Sequence, residues 1–219
     1  MRRIAEPELM DEADQARAYS EADFAEAHQR FIDQIAARFG PLTGEVVDLG
    51  CGPADPTVRL ALANPEITIV GVDAGPTMLK FAAARVEAAG LSSRIRFEQR
   101  HLPDPELSTR PHFDAVVSNS LLHHLPDPTI LWKTIAACAR PGAPVAVMDL
   151  MRPDDEPSTE NLVARYASDA PAVLRADFHN SLLAAYRVDE VAAQLEQAAL
   201  RHFNVEPISD RHLLVTGRR

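Results

Sequence analysis

VVDLGCGPADPTVRLA, residues 46–61, decides the fold. A β-branched apolar run stops at Gly50-Cys51-Gly52, and a helical apolar pattern begins after Asp55-Pro56. Strand, glycine turn, helix is the opening unit of a nucleotide-binding α/β sheet. Gly50 and Gly52 let the backbone turn tightly and approach a ligand closely. A loop built for pyrophosphate continues as G-x-G-x-x-G/A, and here the last of those positions is Asp55. A carboxylate there opposes a phosphate at a helix N-terminus. The loop therefore argues against a dinucleotide and suits a cofactor with a positive centre and no phosphate. Asp55-Pro56 reads as a helix start, with Asp55 capping and Pro56 at the first helical position.

Outward from that stretch, short apolar runs alternate with helical ones. ITIVGVD (67–73), RIRFEQ (94–99), FDAVVSN (113–119) and PVAVMDL (144–150) read as strands. Helices fit 56–63, 76–89 and 128–139. Strands apolar nearly throughout belong to a sheet covered on both faces, and alternation with helices makes it parallel. Upstream, Phe24, His28, Phe31, Ile32, Ile35 and Phe39 recur at helical spacing, predicting one helix over 8–39 that Gly40-Pro41 ends. After Leu150 the alternation breaks. Helices are expected over 158–168 and 171–186, with Phe178, Leu182 and Tyr186 on one face of the second. Asp189 is expected to cap a helix running to about Leu200. HFNVEPIS (202–209) and HLLVTGR (212–218) are too closely linked to be anything but an antiparallel pair.

Three features coincide at the strands' carboxyl ends. Asp48-Leu49-Gly50-Cys51-Gly52 closes the first strand. Asp73 closes the second, at the spacing of an acid that accepts both ribose hydroxyls. Ser118-Asn119 close the fourth, beside the point where such a sheet reverses direction. Together they specify a nucleoside-bearing cofactor, and S-adenosylmethionine (SAM) combines adenosine, a sulfonium and an ammonium.

These segments resemble class I SAM-dependent methyltransferases of the small-molecule type. VVDLGCGPADPTVRLA resembles the first motif of that family, GVDAGPTML (71–79) the second, and FDAVVSNSLLHHLPDPTILW (113–132) the fourth. ARPGAPVAVMDLMRP (139–153) resembles the following helix, turn and fifth strand. The likeness spans residues 44–152 and the terminal strand pair. It implies a Rossmann-like seven-stranded α/β sheet of order 3-2-1-4-5-7-6, strand 7 antiparallel, with helices on both faces and a helical cover. It implies one methyltransferase domain over 1–219, capped by residues 1–40 and by a helical insertion, 152–187.

The resemblance also assigns residues. Asp48, Gly50 and Gly52 go to the methionine end of the cofactor, with Cys51 as a small filler between them. Asp73 goes to the ribose, Ala74 and Met78 flank the adenine, and Asn119 lies beside the sulfonium. The family often has an acid after the third strand to hold the adenine amine, and this chain departs with Gln99-Arg100-His101-Leu102-Pro103-Asp104. Main-chain groups near His101 and Leu102, or Asp104, stand in for it. S-adenosylhomocysteine is the implied product.

Methyl transfer needs an aligned nucleophile, exclusion of water and, for some acceptors, a base. His123 and His124, just past the fourth strand, are the base candidates because imidazole titrates near working pH. The alternative is that one packs against the next helix and the other bonds backbone. Substrate candidates are Tyr19, with Asp23 and Phe24, on the N-terminal helix; Asp149 and Arg152 flanking the fifth strand's end; and Asp177, His179, Asn180 and Tyr186 in the cover. His112, His202 and His212 read as surface or loop histidines.

Composition bounds the rest. The chain has 219 residues and a net charge of -10. That charge disfavours a polyanion-binding face and hence nucleic acid as partner. Cys51 and Cys138 are too few and too far apart for a disulfide framework or a metal site. No apolar run approaches a membrane span, and MRRIAEPELMDEADQ lacks the apolar core of a signal peptide. The expectation is a cytoplasmic enzyme, monomer or homodimer, with a small-molecule methyl acceptor and no membrane partner. An RNA- or protein-directed methyltransferase and a non-catalytic SAM-binding module stay open as alternatives.

Overall fold

The computed structural model describes residues 1–6, 13–109 and 113–219. Its elements run α1 (Ala13–Glu21), α2 (Ala25–Phe39), β1 (Gly44–Leu49), α3 (Asp55–Ala63), β2 (Ile67–Asp73), α4 (Pro76–Ala88) and β3 (Ile95–Gln99). They continue with α5 (Pro105–Thr109), β4 (Ala115–Asn119), α6 (Thr129–Cys138), β5 (Pro144–Leu150), α7 (Glu156–Tyr166) and α8 (Ala172–Ala184). The chain closes with α9 (Val188–Gln197), β6 (Asn204–Pro207) and β7 (His212–Arg218). A 3-10 turn, Leu122–His124, follows β4.

The strands form one seven-stranded sheet of order β3-β2-β1-β4-β5-β7-β6. Pairs among β1 to β5 are parallel; β7 runs antiparallel to β5 and β6. This is the order the sequence predicts. Alternation along each strand splits the core into two layers. Val47, Leu49, Val116 and Val147 pack with Leu131, Trp132 and Ile135 of α6 and Val191 and Leu195 of α9. Val46, Ile69, Val117 and Met148 pack with Phe31, Ile32 and Ile35 of α2, Leu60 of α3 and Val86 of α4. The buried indole of Trp132 donates its N–H to Gln194 Oε1 at 3.0 Å, so the largest core side chain leaves no polar atom unsatisfied. A smaller cluster, Leu150, Leu182 and Ala185 with Leu162 and Phe178, lies under α7 and α8.

Four local expectations are corrected. The N-terminal helix is broken: Asp23 Oδ1 accepts the Ala25 N–H at 3.0 Å, which starts α2 afresh. The break lets Phe24 stack between Tyr19 and His28, at 5.0 and 5.6 Å between ring centroids. Residues 8–12 of the expected helix lie outside the described residues. Asp55 does not cap α3. The N-cap is Ala54, left-handed at φ 64°, and the Asp55 carboxylate turns to cations instead. Asp189 does not cap α9, because the N-cap is Arg187, whose backbone N–H is taken by the Glu190 carboxylate at 2.8 Å. Tyr186 lies beyond the end of α8 and bridges to Met151, so it shares no helix face with Phe178.

Candidate active site

The first glycine turn is held by the neighbouring strand. The N–H groups of Gly50 and Cys51 both reach Val72 O, at 2.8 and 3.0 Å. The Gly52 N–H donates to Asp73 Oδ2 and the Gly75 N–H to Asp73 Oδ1, each at 2.8 Å. Asp73 thus joins the first loop to the second before any ligand is considered. Gly50 sits at φ +71°, and a Cβ there would lie 2.9 Å from Leu121. Only glycine fits both the backbone and the space. Gly52, at φ +50°, has nothing within 4 Å of its would-be Cβ, so its backbone borders open space.

That space is a cavity of about 300 Å³. Asp48, Gly50, Cys51, Gly52, Asp73, Ala74, Met78, His101, Leu102 and Asn119 all line it, as do Tyr19, His28 and Arg85. Asp104 does not. Its carboxylate caps α5 through the Leu107 N–H at 2.9 Å and binds Arg100 at 3.1 Å, which holds its pKa below the usual carboxylate value.

Asp48 is buried, with Thr57 Oγ1 donating to it at 2.6 Å. Desolvation dominates over that bond, and the Asp73 charge adds to it, so the Asp48 carboxyl is pushed up to about 7. Burial likewise pushes the Cys51 thiol well up, which leaves it protonated and inert. Asn119 Oδ1 is buried and accepts from no donor among the described residues. Desolvation, followed by the charges of Asp149, Asp73 and Asp55, pushes the Tyr19 phenol up to about 12, so it is a neutral donor.

Asp55 is the centre of a charge network. It binds His28 Nδ1 at 2.6 Å, Arg59 Nε at 2.7 Å and Arg85 Nη1 at 3.2 Å. Arg85 also donates to Pro53 O and Ser20 O. The network ties α2, α3, α4 and the end of α1 around the rim of the loop. Burial opposes ionisation of Asp55, but His28 and Arg59 win and hold it well below the usual range.

A second cavity of about 570 Å³ adjoins the first, sharing Tyr19, Asp23, Phe24, His28, Asn119, Ser120 and His124. Its walls include Met148, Leu150, Leu174 and Phe178. Asp177 enters from α8: Oδ1 accepts from Gln15 at 3.0 Å, while buried Oδ2 accepts from no donor among the described residues. His212 also lines this cavity, buried and with its pKa lowered to about 4 chiefly by desolvation. It is therefore neutral, and not the surface histidine the sequence suggested. His202 is exposed and reaches Arg218 O, as expected; His112 lies outside the described residues.

The two adjacent histidines differ. His124 lines both cavities. His123 lines the second and is nearly enclosed, with Nδ1 2.5 Å from Asp149 Oδ1 and Nε2 3.4 Å from Glu6 Oε1. Burial alone would lower its pKa, but the Asp149 and Glu6 carboxylates outweigh burial and raise it.

Five substrate candidates are placed away from this second cavity. Asp149 turns inward, its Oδ2 accepting from Leu122 N at 2.7 Å and its Oδ1 from Leu150 N at 2.8 Å. Arg152 is buried against Ala185 O and Glu190, at 2.8 and 2.5 Å, and pairs with neither Asp149 nor the cavity. Tyr186 donates to Leu125 O at 3.3 Å beneath the Arg3 guanidinium. Asn180 is exposed on the outer side of α8, and His179 pairs with Glu156 at 2.9 Å. Sequence reasoning missed Thr57, Arg59, Arg85 and Glu6. Thr57 and Arg59 stand at i+2 and i+4 from Asp55 and were legible as neighbours on α3. Glu6 carried no signal, since it reaches the histidines across 117 residues of chain.

The methyltransferase-domain family matches residues 47–145. The chain is 30% identical to 27-O-demethylrifamycin SV methyltransferase of Amycolatopsis mediterranei over 86% of its own length and 65% of the relative's. It is 34% identical to trans-aconitate 2-methyltransferase of Methylobacterium nodulans over 69% of its length and 55% of that protein's. The chain thus spans less than two thirds of these curated relatives. The crystal structure of a SAM-dependent methyltransferase from Aquifex aeolicus superposes with a TM-score of 0.65 at 16% identity, covering 94% of this chain and 98% of that one. The glycine turn and Asp73, on a sheet of this order and within the matched segment, carry the chain's likeness to the class I SAM-dependent methyltransferases.

Proposed function

We propose that the chain transfers a methyl group from SAM in the first cavity to an oxygen of a small-molecule acceptor in the second. One observation carries the reading: the two cavities meet at Asn119, Ser120 and His124, past the end of β4. The residues present fit the cofactor. Asp48 and Asp73 give the cavity negative charge, suited to an ammonium and a sulfonium. Asn119 Oδ1 offers a buried acceptor without a partner among the described residues. The Asp73 carboxylate, an acceptor of up to about four hydrogen bonds, lines the cavity at the end of β2, where a ribose acid is expected. Met78 and Leu102 supply apolar walls for a base.

When bound, the cofactor supplies a methyl carbon already activated by its sulfonium. The chain's own contribution is alignment and exclusion of water. Residues 1–40 and 152–187 act as the cover: Tyr19 and Phe24 on one side, Leu174, Asp177 and Phe178 on the other. Asp177 Oδ2 accepts a hydroxyl or ammonium of the acceptor and orients it. His124, on both cavities, faces the reacting oxygen. The cavity volume and mixed lining are those of a metabolite-sized site. The curated relatives named for small-molecule methylation support an oxygen acceptor of that size.

Methyl-labelled SAM and a panel of hydroxylated and carboxylated metabolites test this. Label is expected in a small product with one equivalent of S-adenosylhomocysteine. Asp177→Asn is expected to raise the acceptor KM with little change in SAM affinity. Transfer confined to RNA or protein, or SAM binding with no transfer to any acceptor, would overturn it.

A further inference from the structure

We propose that Glu6, His123 and His124 form a binding site for a divalent transition-metal ion, Zn²⁺ or one of similar softness, opening on the acceptor cavity. Glu6 Oε1, His123 Nε2 and His124 Nδ1 all lie within 4.8 Å of one another. Glu6 Oε1 stands 3.4 Å from the first nitrogen and 3.3 Å from the second. Donors of a tetrahedral zinc ion, with bonds of roughly 2.0–2.1 Å, sit about 3.3 Å apart. The two carboxylate-to-imidazole edges therefore already have the spacing an ion needs.

The supporting contacts match those of metal-binding histidines. Asp149 accepts from His123 Nδ1 and is itself fixed by two backbone amides. That fixes the tautomer and aims the Nε2 lone pair at the centre of the cluster. Ser181 donates to Glu6 Oε2 at 3.2 Å, which orients Oε1. Oε1 is buried, and among the described residues no donor reaches it in hydrogen-bonding geometry. A buried carboxylate oxygen left that way costs free energy unless a cation or proton meets it.

Charge balance points the same way. Around the cluster stand Glu6, Asp149 and Asp177, opposed by Arg3, which donates to His123 O at 2.9 Å and to Ala184 O. Among the described residues the carboxylates around the cluster outnumber the guanidinium, which favours a cation there. The segment carrying Glu6 is pinned by the Ile4 N–H on Leu183 O at 3.0 Å. Both histidines line the acceptor cavity, so the fourth coordination position falls toward it. An oxygen of the acceptor is the ligand that would take it. This last point rests on the proposed methyl transfer; the site itself does not. With His124 committed through Nδ1, the ion rather than a free imidazole would face the acceptor.

The test uses the full chain, free of any histidine tag, stripped with a chelator and titrated with Co²⁺, without cofactor or acceptor. One equivalent per chain is expected, with the visible bands of a tetrahedral nitrogen–oxygen site, and Zn²⁺ should displace it. Glu6→Gln and His124→Ala should weaken binding by ~100-fold or more, and Asp149→Asn, through His123, by about 10–100-fold. His202→Ala should bind as wild type. SAM binding by each variant reports that it has folded. No stoichiometric uptake, or uptake unchanged by Glu6→Gln, would overturn the site. Either result leaves the methyl-transfer reading to its own assay.

Discussion

Replacing Asp48 by Asn separates the stability of the first cavity from its affinity for a cation. The buried carboxyl is raised from 3.8 to about 7. The folded chain therefore holds this proton more tightly than the unfolded chain does. The group's contribution to stability is full below about pH 4, declines as pH rises, and is gone above about pH 7. The whole shift corresponds to at most ~4 kcal/mol. Asn cannot ionise, so it escapes that decline, whatever constant penalty its amide N–H₂ incurs beside Thr57. The stability of Asp48→Asn relative to wild type should thus improve by roughly 2–3 kcal/mol between about pH 5 and about pH 8. Urea unfolding of both proteins at a series of pH values measures it, and only the change with pH matters. SAM binding should behave in the opposite way. A bound cation favours the charged carboxylate, so wild-type affinity should rise by up to about tenfold per pH unit toward pH 7 and then level. The variant should bind weakly with a flat profile. A stability difference that stays constant with pH would refute the desolvated-carboxylate argument. A flat wild-type affinity would refute the placement of positive charge beside Asp48.

Asp73→Ala should cost ~1–3 kcal/mol of SAM affinity from unpaired ribose hydroxyls, and Asp73→Asn less, since it keeps one acceptor oxygen; unchanged binding by calorimetry would remove the ribose assignment. Asp55→Ala leaves His28, Arg59 and Arg85 without their shared partner and should destabilise the fold by ~1–3 kcal/mol. Because those partners hold the Asp55 carboxyl low, its contribution is present above about pH 4 and lost below it, so the gap between variant and wild type should close in acid; a gap that widens on acidification would contradict the network. Gly50→Ala should lower the thermal midpoint more than Gly52→Ala: both force a non-glycine residue into positive φ at ~1–2 kcal/mol, but only the first also meets Leu121. The reverse ranking would mean that the loop is not held as described.

The sheet was legible because its signal is local. The parallel strands are short and mostly apolar, each helix between β1 and β5 starts at or beside a proline, and parallel pairing follows from alternation alone. The cofactor loop was legible for the same reason: glycine, acid and asparagine each fall at a strand's carboxyl end, where topology brings them together whatever the side chains do. The acceptor side was not. Asp149 and Arg152 were read as facing the crevice because they flank a strand end, yet alternation and α9 turn both away. Of the cover candidates only Asp177 reaches the cavity: Asn180 is exposed, and Tyr186 lies beyond α8, which stops at Ala184. Glu6 joins two histidines through a contact that no periodicity announces. Local patterns locate backbone; the partners of a buried charge are fixed by packing between distant segments.

Asp55 shows why that distinction matters for cofactor choice. In sequence its charge stands where a pyrophosphate would lie, and read alone it would exclude phosphate by itself. In the fold it is matched by His28, Arg59 and Arg85, so its field inside the cavity is largely cancelled. The exclusion then falls to Asp48 and Asp73. Asp48 lines the cavity and is buried with Thr57 as its hydrogen-bond partner, where a like charge is poorly screened. Ala54 supplies a second barrier, because its left-handed turn carries the chain into α3 with the Asp55 side chain directed at the rim. A phosphate-binding relative would need both changes at once: a neutral residue at 48, and a glycine-rich path that opens the α3 N-terminus. Neutralising Asp55 alone would loosen the cover without admitting an anion.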